Sequence, residues 1–356
     1  MAMESEIGAR LRAARQEAGM STRTVSDRLR FRGFSVSHAT VANYELGKSK
    51  PELALIGALS ELYGIPLNSF LAGSPFLSHV RYRALKSVKA NERRNFEARA
   101  ERLLRAYIKF EEVCAGPLVN RAESFLVQGG DSPVEMASRL RTFLKLGDGP
   151  IASVIEILEL FGIRVVEVHS DSRIDACAAR MGRDKVVILN SALSNDRIRL
   201  NAVHELGHLL LEHCGRDVFS EGDALEDKAF EFGSHFLIPD SKIREAFAGY
   251  SMIRLVKFKE HFGVSLAAMV FRADKAGLLS RRIYKRLWIE FNKRGWRKQE
   301  PGVVLPDRPK RFEILLDSAV RSGRLSLVEA ARVAGLPKTE LKDRLSRFLK
   351  IGGDQM

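Results

Sequence analysis

Apolar positions in the first part of the chain recur at three- and four-residue spacings, in short runs separated by polar, glycine-bearing breaks. That period predicts helices. Ile7, Leu11 and Ala14 form the first stripe, and Gly19 stops it. Ser21 is placed to cap a second helix holding Val25 and Leu29, and Ser37 a third that ends before Gly47. A fourth follows Pro51, with Leu53, Ile56, Leu59, Leu62 and Tyr63 as its buried side. Residues 79–113 read as a basic amphipathic helix with an apolar face of Phe96, Leu103, Leu104, Tyr107, Ile108 and Phe110. Further on, a helix over 133–146 capped by Ser132 and another over 151–161 precede a change of period. Residues 163–168 and 185–189 cluster β-branched side chains and predict strands, with 175–180 as a third. From Asn201 the helical period returns and persists through 241–247, 252–262, 266–276 and 280–293 into a tail with a capping box at Ser326 and Glu329. The pattern describes a multidomain, mostly α chain: an all-α N-terminal domain, then an α+β domain with a helical C-terminal extension. Turn-rich breaks divide it into 5–73, 74–130, 131–240, 241–302 and 303–356.

Composition narrows the setting. With 58 Lys+Arg against 44 Asp+Glu, the net charge is +14, a balance that favours polyanions such as nucleic acid. No apolar run approaches a membrane span, and the N-terminus has no signal-peptide apolar region, so a cytoplasmic protein with no membrane partner is expected. Three scattered cysteines, Cys114, Cys177 and Cys214, argue against a disulfide framework and for a reducing compartment.

The chemistry concentrates in Asn201-Ala-Val-His204-Glu205-Leu-Gly-His208. In a helix, His204 and His208 share one face a turn apart, which brings two imidazole nitrogens to one ion and suits zinc. Glu205 sits where it can activate a metal-bound water as general base. A third ligand is expected from residues 226–239, where Ala229, Phe232, Gly233 and Phe236 face a core. Glu226 is preferred, with Glu231 and His235 as rivals; spacing does not choose among them. A small sheet beside a metal-bearing helix is a zincin-like arrangement, in which an edge strand can hold a peptide by strand addition. Arg197 and Arg199, just ahead of the helix, are placed to orient a carboxylate, but the simpler reading is of solvated side chains at its start.

Two resemblances extend this reading. The motif Val41-x-x-Tyr44-Glu45-x-Gly47-Lys48-x-x-Pro51 resembles the phage-repressor (XRE-type) helix-turn-helix family, over 5–71. It implies a double-stranded DNA operator, paired half-sites and hence a homodimer. It places the third helix in the major groove, with Ser37, His38, Ala39, Thr40, Ala42 and Asn43 as candidate contacts, Asn43 suited to adenine. Thr22, Arg23 and Lys48 would meet phosphate. Arg30-Phe31-Arg32-Gly33 lengthens the turn before that helix.

The run from about 150 to 239 is similar to the ImmA/IrrE family of zinc metallopeptidases. The matching pieces are Gly149-Pro150-Ile151, Val187-Ile188-Leu189-Asn190, His204-Glu205-Leu206-Gly207-His208-Leu209-Leu210, and Glu226-x-x-Ala229-x-x-Phe232 ending Leu237-Ile238-Pro239. That resemblance assigns the third ligand to Glu226 and implies an H-E-x-x-H endopeptidase of gluzincin type, with zinc or manganese in the site. Its activity would be narrow: cleavage of a protein substrate, a helix-turn-helix repressor, after stress or a prophage signal. Gly233 stands where the family has Ala, and Phe230 where it often has Asn. The alternative from another class is a regulator whose metal domain senses a ligand or partner without proteolysis; an intact Glu205 speaks against it.

Overall fold

In the computed structural model, residues 2–63, 67, 70, 77–84, 88–119, 125, 132–171, 173–182, 184–211, 222–249, 251–297 and 299–353 are described. They fall into two compact units, residues 1–76 with 89–98, and residues 77–88 with 99–356.

The first unit is built on helices α1 (Ala2–Glu17), α2 (Thr22–Phe31), α3 (His38–Glu45) and α4 (Leu53–Tyr63). Ser21 and Ser37 cap α2 and α3, each accepting the amide of the residue three on. Leu11, Ala14, Val25, Leu29, Val41, Ile56, Leu59 and Tyr63 close one core. Arg15 ties α1 to α3 through both oxygens of Glu45, at 2.6 and 2.8 Å. Leu53 is a correction: it is 61% exposed, because the buried stripe of α4 starts at Leu55.

In the second unit a four-stranded sheet carries the helices of the H-E-x-x-H segment and of Glu226. Its strands are β1 (Leu77–Ala84), β2 (Arg164–Val168), β3 (Ile174–Met181) and β4 (Asp184–Asn190), in the order β1-β3-β4-β2. β2 and β4 run parallel, while β3 is antiparallel to both β4 and β1. The three strands expected from β-branched clustering are present. β1 is not where the sequence put it, since residues 79–84 were expected in a helix. The helix, α5 (Ala90–Cys114), begins only after it.

Helices α6 (Pro133–Phe143), with its Ser132–Glu135 capping box, and α7 (Val154–Leu160) precede the sheet's inner strands. Helices α8 (Asn195–Leu210) and α9 (Gly222–Leu237) follow, then α10 (Asp240–Phe247), α11 (Met252–Phe262), α12 (Leu266–Lys275) and α13 (Arg281–Lys293). One apolar core joins α6 through α13 with the sheet. Buried arginines finish what apolar packing leaves open. Arg141 donates to the carbonyls of Phe236, Gly147 and Gly149, and Arg272 to those of Ser234 and Ile238, so the last turn of α9 is capped from two sides. The tail helices α14 (Arg311–Arg321), α15 (Leu327–Ala334) and α16 (Lys338–Gly353) dock through Phe312, edge-on to Tyr107 and Phe110 of α5. The capping box at Ser326 and Glu329 is formed. Among the described residues no helix is long and apolar enough to cross a membrane.

Candidate metal centre

Helix α8 is buried on nearly every side. Ile198, Ala202, Val203, Leu206, Leu209 and Leu210 anchor it in the core, so its polar residues have little freedom to turn away. The four-residue spacing of His204 and His208 stacks them edge to face, ring centroids 4.7 Å apart, with Nε2 atoms 3.0 Å apart. α9 crosses α8 with Ala229, Phe232 and Phe236 inward, which carries Glu226 to the same place. Its Oε2 lies 3.0 Å from His204 Nε2 and its Oε1 3.3 Å from His208 Nε2.

The crossing is close because of two glycines. A Cβ on Gly207 would meet Phe232 Cδ1 at 3.0 Å and the Ala229 backbone at 3.3 Å; one on Gly233 would meet the His204 amide nitrogen at 3.3 Å. Gly233, where the resemblance leads one to expect Ala, therefore sits directly against the first histidine.

The donor set fits a zinc-class ion. Two nitrogens and a carboxylate oxygen lie within 4.8 Å of one another. Their closest approaches match the edge of a tetrahedron, about 3.3 Å, around an ion bound at about 2.0–2.1 Å. Burial lowers His204 to about 3 and moves His208 in the same direction, which favours the neutral imidazole that metal ligation requires. Burial acts to raise the Glu226 carboxyl; hydrogen bonds from His204 and His208 outweigh it and hold the group below the usual carboxylate range. The rivals for third ligand lie elsewhere. Glu231 is exposed, and His235 bonds the Glu231 carbonyl at 2.8 Å and faces Asp240 at 3.4 Å.

Glu205 is fully buried, and among the described residues its carboxylate oxygens make no hydrogen bond of normal geometry, the Ala178 backbone acting on them only weakly. Burial pushes its carboxyl up to about 8, against the opposing field of Arg83. Such a group is costly to fold around, and costly groups cluster at functional sites.

Strand β1 brings two residues that sequence reasoning missed. Arg81, 1% exposed, donates to Glu226 Oε1 from Nε at 3.1 Å and from a terminal nitrogen at 2.9 Å. Its Nε stands 3.3 Å from His208 Nε2. Arg83, on the same strand face, lies over the Phe230 ring at 6.0 Å within the field of Glu205. Arg199 is a correction too: it is buried, bonded to Asp307 at 2.6 Å and the Ile151 carbonyl at 2.6 Å, and pins the start of α8. Arg197 pairs with Asp175 at 2.7 Å. Cys214 lies outside the described residues.

In the first unit, His38, Ala39 and Asn43 of α3 are exposed, as are Arg23 at the start of α2 and Lys48 after α3. Thr22 and Ala42 are half-buried, and the Ser37 and Thr40 hydroxyls bond each other at 2.8 Å in the cap. Arg32 of the lengthened turn is spent on α4, bonding the Ala58 carbonyl and Glu61 at 3.2 Å each. In the second unit, Trp288 of α13 and Trp296 pack on Phe291.

Comparison with known families matches two parts of the chain. Residues 6–69 match a helix-turn-helix domain, and residues 158–274 match the IrrE N-terminal-like domain of the M78 peptidases. No curated protein matches the chain.

Proposed function

We propose that this chain, which joins a helix-turn-helix domain to an IrrE-like peptidase domain, is a DNA-binding transcription regulator whose peptidase domain cleaves a repressor protein of the helix-turn-helix kind. One observation carries the reading: two imidazoles and a carboxylate converge beside a buried glutamate whose carboxylate makes no hydrogen bond of normal geometry among the described residues. His204, His208 and Glu226 would hold a zinc or manganese ion. When bound, it supplies Lewis-acid polarisation of a water and of the scissile carbonyl. Glu205 takes the water's proton as it attacks and passes it to the leaving amide nitrogen; a carboxylate in a dry site is a stronger base than one in water. On the DNA side, α3 reads the major groove through His38, Ala39 and Asn43, with Arg23, Thr22 and Lys48 on phosphate, and the chain dimerises on paired half-sites.

The test is made in the native host, comparing transcripts of wild type, Glu205→Gln and a deletion before and after DNA damage. Glu205→Gln keeps the ligands and removes the base, so it should behave like the deletion, and the proteins that accumulate become the substrate list. Wild-type behaviour of Glu205→Gln sinks the peptidase reading and leaves a metal domain that senses without cutting.

A further inference from the structure

Any extended polypeptide that reaches the α8 histidines by backbone pairing needs a free strand edge beside α8. With the order β1-β3-β4-β2, and α8 packed on β3 and β4, that edge belongs to β3. The chain fills it with its own β1. Pairing is antiparallel, with Leu77 opposite Met181, Ser78 opposite Arg180, Arg81 opposite Ala178, Tyr82 opposite Cys177 and Arg83 opposite Ala176. It is also imperfect: the register slips between Ser78 and Arg81 and again between Arg83 and Ala84. Each slip interrupts the ladder and lowers the cost of removing the strand.

The side chain that β1 delivers gives a second, independent indication. The buried arginines Arg141, Arg199 and Arg272 spend their donors largely on backbone carbonyls, as helix-end and loop clamps do, and the buried Arg164 pairs with Glu111 and Asp184, away from the ligand set. Arg81 does neither. It rests on the carboxylate and one imidazole of the ligand set, at 2.9–3.3 Å, and one terminal nitrogen has no partner among the described residues. A cation is thus seated on two of the three ligands.

We infer that β1 is an internal pseudosubstrate: it occupies the peptide track along β3 and holds Arg81 against the metal ligands, so the peptidase domain folds in a self-blocked state. The inference rests on the peptidase reading for its consequence. Its substrate class is an extended polypeptide segment that replaces β1 antiparallel to β3. A divalent ion at the ligands opposes the Arg81 guanidinium, so ion loading and strand release favour each other.

The experiment uses the full chain with Glu205→Gln, so that binding is read without hydrolysis, and adds Arg81→Ala and Tyr82→Cys. The new thiol faces the buried Cys177. Directly opposed strand residues stand about 4.5–5.5 Å apart at Cα, within disulfide range. Oxidation relocks β1, and reduction frees it in the same polypeptide. The probe is a fluorescein-labelled peptide with the sequence of residues 77–84, followed by anisotropy. The reduced protein should bind it at least tenfold more tightly than the oxidised protein, with the 82–177 disulfide mapped by mass spectrometry. Equal affinities overturn the inference, and so does failure of that disulfide to form, because the register then is not the one described. Restoring Glu205 and adding zinc separates the two readings. A reduced protein that binds the peptide under thiol control but never cleaves a polypeptide removes the peptidase reading and leaves β1 as the occupant of the groove.

Discussion

Next in sequence to His204 stands a fully buried carboxylate, Glu205, and against His208 a buried guanidinium, Arg81, at 3.3 Å. At this scale electrostatics decides what the site can hold. Arg81 and a divalent ion compete for Glu226 Oε1, since the guanidinium already lies at 2.9 Å from it. Arg81→Ala should therefore tighten zinc binding about tenfold, roughly 1.4 kcal/mol, read by competition with a chromogenic chelator; weaker binding would show that Arg81 orients the ligand instead of opposing the ion. A second titratable group tests burial away from the site. Glu159 on α7 is raised to about 7, by burial first, with Arg311 opposing. Folded and unfolded chains are both protonated there below about 4.5. As pH climbs from that point through about 7 the unfolded chain releases its proton first, and stability falls. Glu159→Gln should match wild type near pH 4.5 and exceed it at pH 8 by up to about 3 kcal/mol, measured as thermal melts across the range. The histidine pair and Glu205 were legible in the sequence because their spacing is local. Glu226, Glu231 and His235 stayed equivalent on spacing, since only the crossing of two helices tells them apart. Arg81 was not legible, its carboxylate partner being 145 positions away.

Between elements, the decisive contact is the α8–α9 crossing, which sets the ligand geometry through two missing Cβ atoms. Gly207→Ala pushes on Phe232 and on the Ala229 backbone at 3.0–3.3 Å, and backbone cannot step aside. We expect a loss of about 1–3 kcal/mol together with weaker zinc binding, because any widening moves Glu226 from the histidines. Gly233→Ala meets its nearest atom at 3.3 Å and should cost less in the same melts and the same chelator assay. Equal effects would mean that the crossing is not what holds the ligands together. The strands β2, β3 and β4 announced themselves through runs such as Val186-Val187-Ile188-Leu189, buried throughout. β1 did not. Its Val80-Arg81-Tyr82-Arg83 interleaves basic residues of the kind that crowd α5, and the arginine density reads as one solvated helix face. What makes it a strand is the pairing edge of β3, a tertiary cause that local pattern does not carry.

At the level of the whole chain, a net charge of +14 overstates what is offered to a polyanion. Arg81, Arg141, Arg164, Arg199 and Arg272 are all buried, and most of their donors are spent on carboxylates, carbonyls and one imidazole inside the second unit. DNA contact is better argued from the exposed Arg23, Lys48 and Asn43 of the first unit. Lys48→Ala should weaken binding to every sequence and reduce the salt slope by about 1, while Asn43→Ala should cost about 1–3 kcal/mol at one operator position and relax its specificity. The same variant examines why both domains share one chain. A peptidase tethered to a promoter meets a repressor bound nearby at an effective concentration set by the tether, not by the cell. Asn43→Ala leaves the α8–α9 site untouched, so cleavage of purified substrate in solution should match wild type. In cells, turnover of the proteins that accumulate in the Glu205→Gln strain should fall by tenfold or more, because the enzyme no longer waits where they bind. If that turnover is unchanged while operator binding is lost, recruitment plays no part, and the DNA-binding domain serves regulation of the chain's own promoter or another target apart from proteolysis.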